Sequence, residues 1–101
     1  MIYEIAELYI KPETSAAFEA AVTQAVPLFQ RAVGCVSMRL EHCIETPRTY
    51  HLVVGWKTVE NHMVDFRNSA DFQQWRALVG GFFVQPPKVD HYAGAVAGFG
   101  G

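Results

Sequence analysis

Apolar and polar residues alternate along four stretches of the chain, and this period of two is typical of β-strands. The stretches cover residues 2–10, 35–44, 49–57 and 88–96. The first stretch carries apolar side chains on both faces of the predicted strand. One face holds Ile2, Ala6, Leu8 and Ile10, and the other holds Tyr3, Ile5, Tyr9 and the polar Glu7. A strand that is apolar on both faces is covered on both, so we predict helices on one face of the sheet and further protein on the other.

Two segments between the strands have the spacing of amphipathic helices. The first begins at residues 11–13, where a proline is tolerated in the first turn, and it ends at Gly34. Thr58 caps the second segment, and Ser69 caps a new turn after an interruption. This second segment continues to the glycine pair at 80–81.

The elements follow the order β-α-β-β-α-β, and the short turn 45–48 makes the two middle strands an antiparallel hairpin. This order predicts an α+β fold, the ferredoxin-like split unit with a four-stranded antiparallel sheet. We assign residues 1–96 to one domain and expect residues 97–101 to form a flexible C-terminal tail. One face of the second strand is predicted to hold Val36, Met38, Leu40, His42 and Ile44.

The composition is rich in apolar residues for so short a chain. Of 101 residues, 50% are hydrophobic and 18% are charged, which is more apolar than an average soluble domain. A domain of this size buries only part of the surface of its unfolded chain. The surplus therefore favours burial against a second copy of the chain over an ordinary core with scattered exposed apolar residues.

Net charge and cysteine spacing indicate which partners and which cellular compartment to expect. The net charge is −2, with acids and bases interspersed, so we expect no nucleic-acid partner. No apolar run approaches the ~20 residues of a membrane span, and the N-terminus is acidic where a signal peptide is basic. Cys35 and Cys43 lie about 26 Å apart on one predicted strand, too far for a disulfide. We interpret them as free thiols in a reducing compartment, the cytoplasm.

Sequence motifs for the common cofactors are absent. The chain has no glycine-rich phosphate loop, no nucleophile elbow and no histidine or cysteine spacing typical of a metal site. We therefore predict no bound nucleotide cofactor and no metal held by the protein. Any chemistry must use scattered polar side chains in an apolar pocket.

One histidine occupies a position that is suited to chemistry. His62 and Phe66 are four residues apart on a predicted helix and share a face. If that face points into the fold, His62 is a titratable group in an aromatic cavity; otherwise it is a structural or surface histidine. For His42, His51 and His91 the structural interpretation leads.

Large aromatic side chains are concentrated in the second half of the chain: Trp56, Phe66, Phe72, Trp75, Phe82, Phe83 and Tyr92. Core packing is their ordinary role, yet a cavity for a flat aromatic molecule also uses such residues. The two tryptophans are the better candidates for a pocket, since each indole N–H needs a partner. Arg67 and Arg76 lie closest to this group. Arg76 is a candidate to bind an anionic or quinone oxygen, although a surface salt bridge is the commoner role.

These residues, in their order and spacing, resemble the antibiotic biosynthesis monooxygenase (ABM) family from residue 2 to residue 92. The resemblance lies in the following segments: AELYIKPE with Phe18 and Gly34, Glu45-Thr46-Pro47, Tyr50-His51-Leu52, Trp56 through His62, Phe66 through Ser69, Phe72, Trp75-Arg76, Phe82-Phe83, Pro86-Pro87 and His91-Tyr92.

The resemblance implies a dimeric α+β barrel, in which two four-stranded sheets pack face to face with helices outside. It also implies a cofactor-independent monooxygenase, which oxidises an aromatic, polyphenolic or quinol-type molecule with O2. The deprotonated substrate then supplies the electrons, and the protein supplies a base and shelter from water. On this interpretation His62 is the catalytic base or hydrogen-bond partner. The substrate-binding residues are Trp56, Phe66, Trp75, Arg76 and Phe82.

Two other roles are weighed against this one. Relatives that degrade haem use an asparagine on the first strand and a tryptophan and a histidine on the second helix. This chain has Glu7, Phe66 and Arg76 near those positions, so haem degradation is disfavoured. The remaining alternative is a non-catalytic dimer that binds a small apolar ligand or acts in stress response.

Overall fold

The sheet orders its strands as the predicted topology requires. In the computed structural model, which describes residues 1–100, four strands form one sheet in the order β2-β3-β1-β4. Their bounds are β1 Ile2–Tyr9, β2 Cys35–His42, β3 Thr49–Trp56 and β4 Lys88–Ala93. All neighbouring strands are antiparallel. This arrangement confirms the predicted α+β, ferredoxin-like fold.

The helical segments are α1, Ser15–Gln30, then a π-helical turn, Asn61–Phe66, and α2, Ala70–Val79, which continues into a 3-10 turn, Gly80–Phe82. Helix α1 begins later than predicted, because Glu13 adopts a left-handed backbone with φ 61° that no helix can contain.

Both predicted caps of the second helical region are present. The N–H of Asn61 donates to Thr58 Oγ1 at 3.1 Å, and the N–H of Thr58 donates back to Asn61 Oδ1 at 3.2 Å, so two backbone donors at the helix start are satisfied. Ser69 Oγ accepts from the N–H of Phe72 at 3.1 Å. Between these caps lies the π-helical turn, which was not predicted.

The face assignment of β2 was wrong at its start. A β-bulge shifts the register between Cys35 and Ser37, so Val36 points to solvent and Cys35 packs against the core instead. Beyond the bulge, Met38 and Leu40 face the core as predicted. A bulge places an extra residue in one strand and reverses the alternation across it.

The ends of the chain also differ from the prediction. Strand β4 stops at Ala93 rather than at residue 96, because Ala93 lies opposite Ile2, the first residue of the neighbouring β1. Residues 94–100 form no further helix or strand. The last residue of the predicted tail, Gly101, lies outside the described residues. Both cysteines are free, as predicted.

Both helices pack on one face of the sheet, which we call the inner face. The core comprises even-numbered residues of β1 and β3 together with the apolar stripes of the helices: Ala6, Leu8, Ile10, Phe18, Val22, Phe29, Tyr50, Leu52, Val54, Trp56, Phe66, Trp75 and Val79. The opposite, outer face carries half-buried odd-numbered side chains of β1. Within residues 1–100, no helix has the length and hydropathy needed to cross a membrane.

Candidate active site

A cavity of about 660 Å³ lies between the inner face of the sheet, α2 and the segment 83–87. This volume falls in the range of sites for small molecules. The walls are mostly apolar and include Ala6, Leu8, Leu52, Phe72, Trp75, Val79, Phe83 and Val89. Four charged or titratable side chains reach the cavity: Glu4, His62, Arg67 and Arg76. The cavity therefore combines an apolar surface with a few convergent polar groups.

Glu4 is a buried carboxyl group in the middle of the sheet. It lies on β1 between Val54 of β3 and His91 of β4, and its even position turns it to the inner face. Only 5% of the residue is exposed. The indole N–H of Trp56 donates to Glu4 Oε1 at 3.0 Å. Burial raises the pKa of Glu4 to about 7, although the bond from Trp56 and the charge of Arg67 both act to lower it.

His62 lies beside this carboxyl group and is buried to the same degree. Its Nε2 is 3.3 Å from Glu4 Oε1, and its ring stacks on the indole of Trp56 with centroids 5.4 Å apart. Burial, reinforced by nearby His91 and Arg67, lowers the pKa of His62 to about 4. At neutral pH, His62 is therefore an uncharged hydrogen-bonding group, while Glu4 exchanges a proton with its surroundings.

His91 extends the contact towards the surface. Its Nε2 is 2.9 Å from Nδ1 of His62, and the residue is half-buried. The two ring nitrogens of His62 thus contact Glu4 on one side and His91 on the other. Among residues 1–100, no three histidine, cysteine or acidic side chains are grouped so that they could hold a metal ion.

The π-helical turn positions His62. Its wide hydrogen bonding is seen where the N–H of Arg67 donates to the carbonyl of His62, five residues earlier, at 3.2 Å. Both His62 and Phe66 are buried, so the predicted common face is confirmed and it points into the fold. Arg67, the next residue, also reaches the cavity.

Three of the predicted site residues line the cavity: His62, Trp75 and Arg76. Trp56 is fully buried and is not one of the lining residues. It contacts two residues that line the cavity, Glu4 and His62.

Phe66 and Phe82 are not among the residues that line the cavity. Phe66 packs behind it, against Trp56 at 5.5 Å and Phe29 at 5.0 Å between ring centroids. Phe82 packs edge-on against Phe18, with centroids 5.6 Å apart. The neighbouring Phe83 lines the cavity in its place.

The sequence interpretation missed Glu4. Its signal was present, because it occupies an even position between Ile2 and Ala6, on the face that the pattern turns towards the helices. An acid on the apolar face of a central strand is costly unless it has partners. The contact between His91 and His62 was also missed, since His91 was interpreted as structural.

Known proteins are similar to this chain in both fold and sequence. The profile of the family "Antibiotic biosynthesis monooxygenase" matches residues 1–78. The uncharacterized protein YczJ of Bacillus subtilis (strain 168) is 37% identical over 92 residues, which are 91% of this chain and 97% of that protein.

Solved structures give the same result. A candidate antibiotic biosynthesis monooxygenase from Bordetella bronchiseptica is 55% identical, with a TM-score of 0.92 over 94% of this chain and 97% of its own. A second such candidate, from Nitrosomonas europaea, is 21% identical with a TM-score of 0.80, covering 95% of this chain and 100% of its own, and this likeness concerns the fold alone. From the profile and the Bordetella bronchiseptica structure, the chain belongs to the antibiotic biosynthesis monooxygenase family.

Proposed function

We propose that the protein is a cofactor-independent monooxygenase, which oxidises an aromatic, polyphenolic or quinol-type small molecule with O2. The observation that carries this proposal is the buried pair of Glu4 and His62 at an apolar cavity. A phenol must lose its proton before it can give an electron to oxygen readily. The cavity offers a base, hydrogen bonds and mostly apolar walls.

Glu4 is the proposed base. A general base works best when its pKa is near the working pH, and burial raises the pKa of Glu4 to about 7. The carboxylate takes the phenolic proton, and the resulting phenolate is electron-rich. The overall reaction balances for an anthrone-type substrate, the phenolic tautomer of which the base deprotonates, when its ring methylene becomes a carbonyl. One oxygen atom of O2 forms that carbonyl, the other leaves as water with the two hydrogens, and the substrate supplies all the electrons.

His62 is the proposed partner of the base. With its pKa lowered to about 4, it is too weak a base to hold the substrate proton itself at neutral pH. It offers one ring nitrogen to Glu4 and the other to His91. A proton that Glu4 takes up can therefore pass through His62 to the half-buried His91 and on to solvent. Trp56 holds the carboxyl group in position through its indole N–H.

We also propose that the protein acts as a homodimer formed through the outer face of the sheet. Tyr3, Ile5 and Tyr9 are half-buried there, and Tyr92, opposite Tyr3, is 51% exposed. An apolar sheet face with no helix packed on it is suited to pairing with a second sheet. The free thiols support a reducing compartment, the cytoplasm, as the setting.

The test is oxygen consumption with a panel of hydroquinones and anthrone-type compounds, with purified protein and no added cofactor. We expect turnover with at least one compound and a loss of about 100-fold in His62→Gln. His51→Gln is the matched control, because His51 also contacts a glutamate but lies half-exposed on the outer face. Tight binding of a compound without oxygen uptake would favour the non-catalytic alternative, and unchanged turnover in His62→Gln would refute the assigned role.

A further inference from the structure

Arg67 carries an unusual buried atom. Within the described part of the chain, its Nε is the one buried side-chain nitrogen or oxygen that lacks a hydrogen-bond partner. A guanidinium group cannot lose its charge in a protein, and a buried donor without a partner destabilises the structure. This Nε has almost no accessible surface and is not itself open to a ligand, but the residue lines the cavity, so a bound molecule would meet the outer nitrogens of the same guanidinium group.

Arg76 brings a second positive charge to the same cavity. The guanidinium carbons of Arg67 and Arg76 each lie 6.0 Å from the centroid of the Phe72 ring. Elsewhere in residues 1–100, Arg31 pairs with Asp71 and Arg39 with Glu41. The two cavity arginines take part in no such ion pair.

The charge balance of the cavity differs from that of the whole protein. The chain has a net charge of −2, yet the cavity holds two guanidinium groups and a single acid, Glu4. A positive cleft with apolar walls attracts anions and raises their local concentration. Arg67 is half-buried and lies within the wall, whereas Arg76 is exposed at the mouth.

We propose that the molecule bound here is an aromatic carboxylate, whose carboxylate group is held by Arg67 with Arg76 at the entrance. Guanidinium and carboxylate form two parallel charged hydrogen bonds, which are stronger than neutral ones and fix orientation. That the aromatic carboxylate is the substrate rests on the proposed function. That an aromatic carboxylate binds here rests on the two arginines alone. The aromatic ring packs between Phe72 and Trp75, and the phenol meets Glu4.

The experiment compares two probes of the same shape, 3-hydroxy-2-naphthoate and 3-hydroxy-2-naphthamide, by calorimetric titration at neutral pH. We expect the acid to bind wild type about tenfold more tightly than the amide, and we expect added salt to reduce this preference. Arg67→Gln should abolish the preference, because it weakens binding of the acid by about tenfold more than binding of the amide. Arg76→Gln should reduce it by about threefold, because that residue is exposed. Arg48→Gln, at an exposed turn, should match wild type.

Equal binding of acid and amide to wild type would overturn the proposal, as would an equal loss of both in Arg67→Gln. If Arg67→Gln does not fold, the wild-type preference, its salt dependence and Arg76→Gln decide the matter. Oxygen uptake is measured separately on the same samples. A preference for the acid without turnover would leave the carboxylate site standing and remove the proposed function. Turnover of neutral compounds, with no preference for the acid over the amide, would remove the carboxylate site and leave the proposed function standing.

Discussion

Two glutamates on β1 have opposite environments because they lie on opposite faces of the sheet. Glu4 is buried on the inner face, where burial raises its pKa to about 7. Glu7 lies on the outer face, where the hydroxyl of Tyr9 donates to it at 2.9 Å and lowers its pKa. Two carboxyl groups of the same strand thus differ in how readily they hold a proton. Position across the sheet, rather than residue type, decides which one is suited to proton transfer.

The histidine partners repeat this contrast. His51 Nε2 lies 3.5 Å from Glu7 Oε1, and His62 Nε2 lies 3.3 Å from Glu4 Oε1. The separations are nearly equal, but the His51 side chain is 42% exposed and that of His62 only 3%. In the single protomer, water reaches the outer pair and screens it, which leaves the ion pair with little energetic weight. The inner pair is shielded, so the same contact is able to tune a reaction.

The largest expected effect is on turnover. Glu4→Gln removes the proposed base and should lower the rate of oxygen uptake by about 100-fold or more. Glu7→Gln, the same change on the other face of the strand, should stay within about twofold of wild type after correction for any change in assembly. Steady-state oxygen electrode measurements decide between them. Equal losses in both variants would contradict the difference between the faces.

The second effect concerns assembly. Ile5→Glu places a charge in the middle of the outer face, and we expect it to convert the dimer to a monomer because an unpaired buried charge opposes association. Sedimentation velocity at micromolar concentration measures the change. Val36→Glu is the matched control, since Val36 already points to solvent. A wild-type protein that sediments as a monomer would remove the dimer proposal.

The third and smallest effect is a change in how stability depends on pH. Glu4 has a folded pKa of about 7, raised from 4.5, so its favourable contribution is complete below pH 4.5 and is lost as the pH rises through 7. His62 has a folded pKa of about 4, lowered from 6.5, so its contribution is complete above pH 6.5 and is lost as the pH falls through 4. Between pH 4.5 and 6.5 the contribution of Glu4 falls with pH while that of His62 rises. The two changes nearly cancel, so together they leave the free energy of unfolding almost independent of pH in this range.

His62→Gln removes the pH-dependent contribution of His62 to the free energy of unfolding and leaves that of Glu4. Relative to wild type, its free energy of unfolding should fall as the pH rises from 4.5 to 6.5, by roughly 1 kcal/mol per pH unit. Urea denaturation across this range gives the difference. A variant curve parallel to wild type would show that the pKa of His62 is not lowered in the folded protein.

The fold was predictable because its determinants are local. Alternating side chains defined the strands, and Thr58 and Ser69 marked the helix starts through caps that span only three residues. The bulge at Cys35 was not predictable. A strand with an extra residue contains the same types of residue as a regular strand, and the bulge is seen only in the pairing of β2 with β3. The π-helical turn likewise depends on packing rather than on propensity.

The site was predictable only in part. The spacing of His62 and Phe66 identified the correct helix face, because both residues belong to one segment. Glu4 acquires its partners from Trp56 and His62, which lie far along the chain. The alternation in β1 indicates only that Glu4 shares a face with Ile2 and Ala6, and the partners that make its burial possible come from the assembled sheet and helix.

The π-helical turn has an evolutionary consequence. Met63 and Val64 on its outer side are exposed, so the loss of one codon there removes no core side chain. Such a deletion would tighten the turn to an ordinary α-helix and rotate His62 around the helix axis by about 100° relative to the residues that follow it, away from Glu4. One small deletion would thus preserve the fold while it separates His62 from Glu4.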